Sequence, residues 1–401
     1  MSNVPTVSAA FLRFFTITVI LWLLVVILGN DIIALWPGEA RVLGDLTWSY
    51  PIPTLLVRFL RITFADDLFG VRLIGPVLSA GSLLAVFHWG SRLFGRRTAL
   101  ITILVSLSIF LPNLLAKTFH FEQFLLVAQT VFALSLLYYL KTQQGKLWIY
   151  GSLLVGAYCS TLSMFLFACA LFLLLRYRHP AGKTLGRLSL LPVLGALVVA
   201  RAGFAYFTLT APLSSYFATG FSLGEWALLH VLSLLPWFGF ALAGLWHLLR
   251  RIGKADETVI ILSSLLLAAL AGGGLFIQTV LALIIARQVG DFFRPGYPYR
   301  PVIVFGAVLQ LVGFFFLAMY LMMTGFRELG GTGFRVGMAL GLVYWIPGVF
   351  GVIGLWSKNA RLLIGGRVLS GLLVMLVGWL MLYPLVAEQL SLPKPTIERI
   401  E

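Results

Sequence analysis

Apolar residues run on for about twenty positions at a time along this chain, broken by short polar clusters and without the alternation of half-buried strands. Wound as helices, runs of that length match the hydrocarbon core of a bilayer. They fall near 11–29, 69–90, 98–115, 121–140, 147–161, 163–176, 186–203, 226–249, 258–286, 301–324, 334–356 and 363–386. The stretch 147–176 reads either as one tilted helix or as two short ones broken near Ser160. Phe11 to Gly29 is too long for a signal-peptide core, and no small-residue cleavage site precedes Asn30-Asp31, so it is read as a retained first helix. The expected fold is an all-α polytopic membrane protein of about 11–12 transmembrane helices, one transmembrane domain over residues 1–401 with no sizeable soluble part.

Composition agrees with the pattern. Hydrophobic residues make up 60% and charged residues 11% of the 401, and the mean hydropathy is +1.00. A soluble domain carries about 25% charged residues, and no globule of this size could clothe its surface with so few. The formal charge of +15 would also suit a nucleic-acid binder. Here, however, Lys and Arg sit in short clusters between apolar spans, the positive-inside pattern, and no nucleic-acid partner is expected. With the N-terminus cytoplasmic, the inner side collects Arg13, then Arg92, Arg96 and Arg97, Lys141 and Lys146, the 176–187 and 250–254 clusters, Arg327 and Arg335, and Lys394 and Arg399. Cys159 and Cys169 lie within apolar runs, without disulfide or zinc spacing, as small hydrophobes.

Two segments on the expected outer side are rich in polar and aromatic residues. In 30–67, Leu55, Leu56, Phe59, Leu60 and Phe64 recur near helical spacing with Arg58 and Arg61 among them, which predicts a helix lying in the membrane interface. The second, 287–300, combines Arg287, Arg294 and Arg300 with Phe, Tyr, Gly and Pro.

An ordered set of motifs runs through the first third of the chain. Trp36-Pro37-Gly38-Glu39-Ala40-Arg41 follows the first helix, and Arg72-Leu73-Ile74-Gly75-Pro76 opens the second. Leu93-Phe94-Gly95-Arg96-Arg97 forms an inner loop, and Lys117-Thr118-Phe119-His120-Phe121-Glu122 comes after the next span. This order resembles the core of the GT-C glycosyltransferases of the protein-mannosyltransferase and aminoarabinose-transferase type. The GT-C-like core covers about 11–180, with C-terminal helices over about 181–390. The resemblance implies hexosyl or pentosyl transfer from a polyprenyl-phosphate sugar to an acceptor on the outer face of a membrane, in a bacterium the inner one. It implies Glu39 and Glu122 as catalytic carboxylates and Arg41, Arg294 and Arg300 as substrate contacts, and by their own placement Lys117, His120 and Arg201 are candidate phosphate or acceptor contacts beside them. The chemistry requires these residue types. A hydroxyl is a poor nucleophile until a base takes its proton, and the departing phosphate gathers charge that the planar arginine fork neutralises.

The chain departs from the family at Gly38, where the usual catalytic Asp is missing and only Glu39 of the acidic pair survives. Three readings stay open: Glu39 is the base shifted by one residue, Asp31 or Asp45 has taken over, or the scaffold has lost catalysis. Singly, each residue also has a plainer reading. Glu39 would be an interfacial carboxylate paired with Arg41, Glu122 a first-turn acid favoured by its helix dipole, and Arg201 a snorkelling arginine. No helix carries a His and carboxylate cluster, so no protein-built metal site is expected, although a divalent cation shared between the donor phosphate and Glu39 or Glu122 fits the chemistry. The competing functions are a lipid-binding or structural subunit of a membrane complex with partner proteins, and a transporter of lipid-linked sugars. The last calls for broken, repeated helices, which the pattern does not show.

Overall fold

The computed structural model describes residues 8–28, 68–117, 121–190, 192–197, 199–200, 223–254 and 256–385, with Leu56, Phe59 and Thr63 between. Every element there is helical. The first half comprises α1 (Ala9–Ile27), α2 (Phe69–Phe94), α3 (Arg96–Ser108), α4 (Phe110–Ala116), α5 (Phe121–Thr142), α6 (Lys146–Cys159) and α7 (Thr161–Arg178). The second comprises α8 (Leu223–Ser233), α9 (Phe238–Arg251), α10 (Glu257–Gly272), α11 (Phe276–Phe292), α12 (Arg300–Glu328), α13 (Gly330–Trp356) and α14 (Ala360–Val377). Among the described residues six helices, α1, α2, α5, α12, α13 and α14, are long and apolar enough to cross a membrane, and the bent pairs α3–α4 and α8–α9 raise the number to eight. Of the expected interfacial segment, the Thr63 hydroxyl donates to the Phe59 carbonyl four residues back (2.8 Å), one turn of helix.

Residues 147–176 form two helices that meet at Ser160, whose backbone is extended (φ −157°, ψ 94°). The stretch 258–286, expected as a single span, is instead the hairpin α10–α11. Its turn is made by Gly273 and Gly274, both at positive φ (66° and 80°), a conformation only glycine adopts freely. Hydropathy reads through Ala271-Gly272-Gly273-Gly274 because glycine brings no polar side chain to interrupt an apolar run.

That turn sends every later loop to the end opposite the one expected. Residues 287–300 and the 357–361 turn join the end that holds 92–97, 141–146, 176–187 and 250–257, called here the basic end. Contacts tie these loops together: Arg187 donates to Gln143 (2.6 Å), Arg178 to the Ile252 carbonyl (2.8 Å), and Leu93, Thr98, Thr258 and Arg287 line one cavity. Arg327 and Arg335, expected with them, lie at the other end, at the α12–α13 turn. Among the described residues, the basic end therefore holds a larger share of the Lys and Arg than the sequence reading assigned to it.

The two bent spans correct a second expectation, that of unbroken helices. Pro112 and Pro236 mark the bends of 69° and 62°. Backbone groups freed at a break inside a membrane must find partners, and here side chains supply them. Asn113 Nδ2 reaches the Ser106 carbonyl (2.9 Å) and its Oδ1 accepts from the Trp22 indole N–H (2.5 Å). The Leu111 N–H donates to the Ser233 hydroxyl (2.8 Å), and the Trp237 indole N–H to the Ser108 hydroxyl (2.8 Å), so the two breaks are bound to each other. Arg367 of α14, buried at mid-span, donates to the Pro236 carbonyl and to Gln310 Oε1 (2.9 Å), with its guanidinium over Phe240 and Trp237. An intramembrane arginine that would otherwise point to function is held through one guanidinium nitrogen by the carbonyl at a break, while its Nε has no hydrogen-bond partner among the described residues. Asn113→Ala is expected to lower unfolding stability in detergent by about 1–3 kcal/mol, because it strands the Trp22 donor and the break carbonyls together; an unchanged midpoint would show that water replaces the amide.

Candidate functional site

Three ionisable side chains from three elements are buried at the end opposite the basic one. Arg72 of α2 is 1% exposed, while Lys117, just past α4, and Glu122, in the first turn of α5, are each 2% exposed. Burying charge at membrane depth costs free energy that packing alone does not return.

Each is placed by its local structure. Lys117 follows the last turn of α4, and its ammonium donates to the Val25 carbonyl (2.9 Å) and to that of Leu28. It thereby closes the C-terminal end of α1, where the last carbonyls have no intrahelical donor. The same ammonium stands 5.4 Å from the Trp379 ring centre. Burial first, and the Arg72 guanidinium second, pull its pKa from 10.5 down to about 8. Glu122 is held through its neighbour: Gln123 accepts from the Ser79 hydroxyl (3.0 Å) and donates to the Pro112 carbonyl (3.1 Å), pinning the start of α5 to α2 and α4. On its other side lies the α10–α11 turn. A Cβ added at Gly274 would come 3.1 Å from Glu122 Oε2 and 3.8 Å from Gln129 Oε1, so the glycine backbone lies directly against the carboxylate.

The other anticipated residues are distributed differently. Glu39, Arg41, His120 and Arg201 lie outside the described residues, as do Asp31, Asp45, Arg58 and Arg61. Arg294 and Arg300 do not share a cavity with Glu122. The 17 residues of α11 carry the chain about 25 Å from the Gly273-Gly274 turn. Arg294 there pairs with Asp291 (2.8 Å), and Arg300 packs over the Phe292 ring (5.5 Å). Arg72 is the site residue that sequence reasoning passed over. It heads an apolar run and opens the Arg72–Pro76 motif, but nothing in the pattern marks it as buried. Among the described residues no three His, Cys, Asp or Glu side chains come together to hold a metal ion, so a cation at Glu122 would need ligands from a bound phosphate or from outside them.

No family model matches the sequence, and neither does any curated protein. The fold, however, has solved counterparts. ArnT from Cupriavidus metallidurans in the apo state superposes with a TM-score of 0.65 at 13% identity, over 96% of this chain and 80% of that one. The same protein bound to undecaprenyl phosphate gives a TM-score of 0.62 at 11% identity over the same shares. At such low identity the likeness speaks for architecture alone: this chain has the GT-C membrane fold of ArnT.

Proposed function

We propose that the chain is a membrane glycosyltransferase that moves a hexosyl or pentosyl group from a polyprenyl phosphate to an acceptor at the Glu122 end. The basic end would face the cytoplasm, in a bacterium across the inner membrane. The observation that carries this is the burial of two cations, Arg72 and Lys117, and a carboxylate, Glu122, at one end of a fold shared with a protein crystallised with undecaprenyl phosphate. In the reaction the acceptor oxygen bonds to the anomeric carbon as the bond from that carbon to the phosphate oxygen breaks. Polyprenyl phosphate leaves with the electron pair, and the acceptor proton passes to a carboxylate. Arg72 and Lys117 serve the growing phosphate charge. Glu122 and Glu39 are the candidate bases, with Arg41, His120 and Arg201 as further contacts and a divalent cation between carboxylate and phosphate compatible with them. Arg294 and Arg300 have no part at this end.

Gly38, in place of the family's Asp, favours a second reading: a scaffold that binds the lipid, serves partner proteins in a membrane complex and transfers nothing. Binding and turnover separate the two. Purified protein should bind undecaprenyl phosphate under both readings, and only under the first should it release sugar from a polyprenyl donor.

The binding arm carries its own pH signature. Lys117 is cationic below about pH 8 and neutral above, and only the cation attracts phosphate. Undecaprenyl phosphate affinity should therefore fall about tenfold between pH 7 and 9, one decade of lost ammonium. Lys117→Arg, which stays charged throughout, should bind independently of pH over that range, whereas an equal slope in both proteins would remove Lys117 from the phosphate site. The stability of the ligand-free protein should move the other way. The folded pKa lies below the unfolded one, so the cost of the buried ammonium is in force below about pH 8 and is relieved as pH rises toward 10.5.

A further inference from the structure

A second cavity lies apart from the site above. It is a groove of about 470 Å³ between α13 and α14, within the range of pockets that hold a drug-sized ligand. Ile346 and Phe350 of α13 form one wall, Leu362, Gly365 and Leu369 of α14 the other, and Arg361 stands at its mouth. The groove follows from the helix contact beside it. At Gly366 the two backbones touch, since a Cβ there would come 2.5 Å from the Pro347 carbonyl oxygen. The adjacent Gly365 has no side chain to fill the flank, and an added Cβ would meet only the Phe14 ring, at 3.8 Å. Ile346 and Phe350 stay half exposed, facing where hydrocarbon must lie.

We propose that this groove binds one acyl chain of an anionic phospholipid from the leaflet at the basic end, with its phosphate on Arg361. Depth argues for a single leaflet. From Arg361 to Leu373 the groove follows α14 for about 18 Å, close to the roughly 15 Å of half a hydrocarbon core. Charge argues for an anionic headgroup. Arg361 is exposed in the first turn of α14 at the basic end, close to the exposed Lys358, and its guanidinium has no carboxylate or carbonyl partner among the described residues. Nothing in this depends on the chain being a transferase.

The full-length protein is placed in nanodiscs of equal parts phosphatidylglycerol and phosphatidylcholine, then released for native mass spectrometry. Wild type should retain one phosphatidylglycerol in preference to phosphatidylcholine. Arg361→Ala, a surface change that leaves the packing intact, should lower that preference about fivefold, the worth of one arginine near an anionic surface. Gly365→Leu, which adds bulk at the groove wall where a Cβ makes only ordinary contact with the Phe14 ring (3.8 Å), should abolish retention of both lipids while eluting as a folded, monodisperse species. Wild type without preference for the anionic lipid, or Gly365→Leu retaining as much lipid as wild type, overturns the proposal. So does occupancy by a second copy of the chain, visible as a dimer that Gly365→Leu dissociates.

Discussion

Glu122→Gln is expected to leave undecaprenyl phosphate binding within about twofold and to lower sugar transfer about 100- to 10,000-fold, the usual cost of removing a general base. The amide has nearly the shape of the carboxylate. It fits against Gly274, whose Cβ position lies 3.1 Å from Oε2, and it leaves Gln123 free to hold the start of α5 as before. What it lacks at neutral pH is a site for the acceptor's proton, so binding and turnover should part. Glu39→Gln, measured in parallel, assigns the roles. Collapse of transfer in Glu39→Gln alone makes Glu122 a positioning residue, and collapse in Glu122→Gln alone makes it the base. Full transfer by both variants would set aside catalysis by these carboxylates, and a wild-type protein that binds the lipid yet transfers no sugar would establish the scaffold reading.

The second large effect is on stability. Gly366→Val should destabilise the folded protein by about 3 kcal/mol or more, at or beyond the upper end for overpacked cores, because the obstruction is backbone and cannot rotate away. A Cβ there would lie 2.5 Å from both the Pro347 carbonyl oxygen and the Gly351 amide nitrogen, and Gly354 meets Leu363 N in the same way at 2.3 Å. Close approach of this kind is how small residues hold helices together where lipid offers no hydrophobic force. Gly365→Val, one residue away, where an added Cβ makes only ordinary contact with the Phe14 ring at 3.8 Å, is the control and should change stability by less than about 1 kcal/mol. Thermal unfolding in detergent, read by helix signal, compares the two directly. Equal midpoints for both variants would mean that α13 and α14 separate at little cost, and that the glycines only lower the helix packing distance.

The sequence alone determined the solvent of this protein, its secondary structure and most of its helices, because lipid leaves a chain few choices. A segment of about twenty apolar residues must satisfy its own backbone, and only a helix does so. The break at Ser160 was one of two readings already open, and the motif order of the first third pointed to the GT-C fold. The same pattern also singled out Lys117 and Glu122, polar residues where a span begins or ends. It could not see where helices turn within an apolar run. Gly273 and Gly274 read as continuous helix until their positive φ folds α10 back into α11, and that one turn moved Arg294 and Arg300 to the wrong end for the role foreseen. Nor could it find the bends at Pro112 and Pro236, whose freed backbone groups are satisfied by Asn113, Ser233 and Arg367 from 4 to 131 residues away. Burial, finally, belongs to the tertiary structure. Arg72 is one of many arginines near a span end, and only the packing of α2 against its neighbours makes it a buried cation beside Lys117. Hydropathy sums over neighbours in sequence, whereas turns, partners and burial are set by neighbours in space.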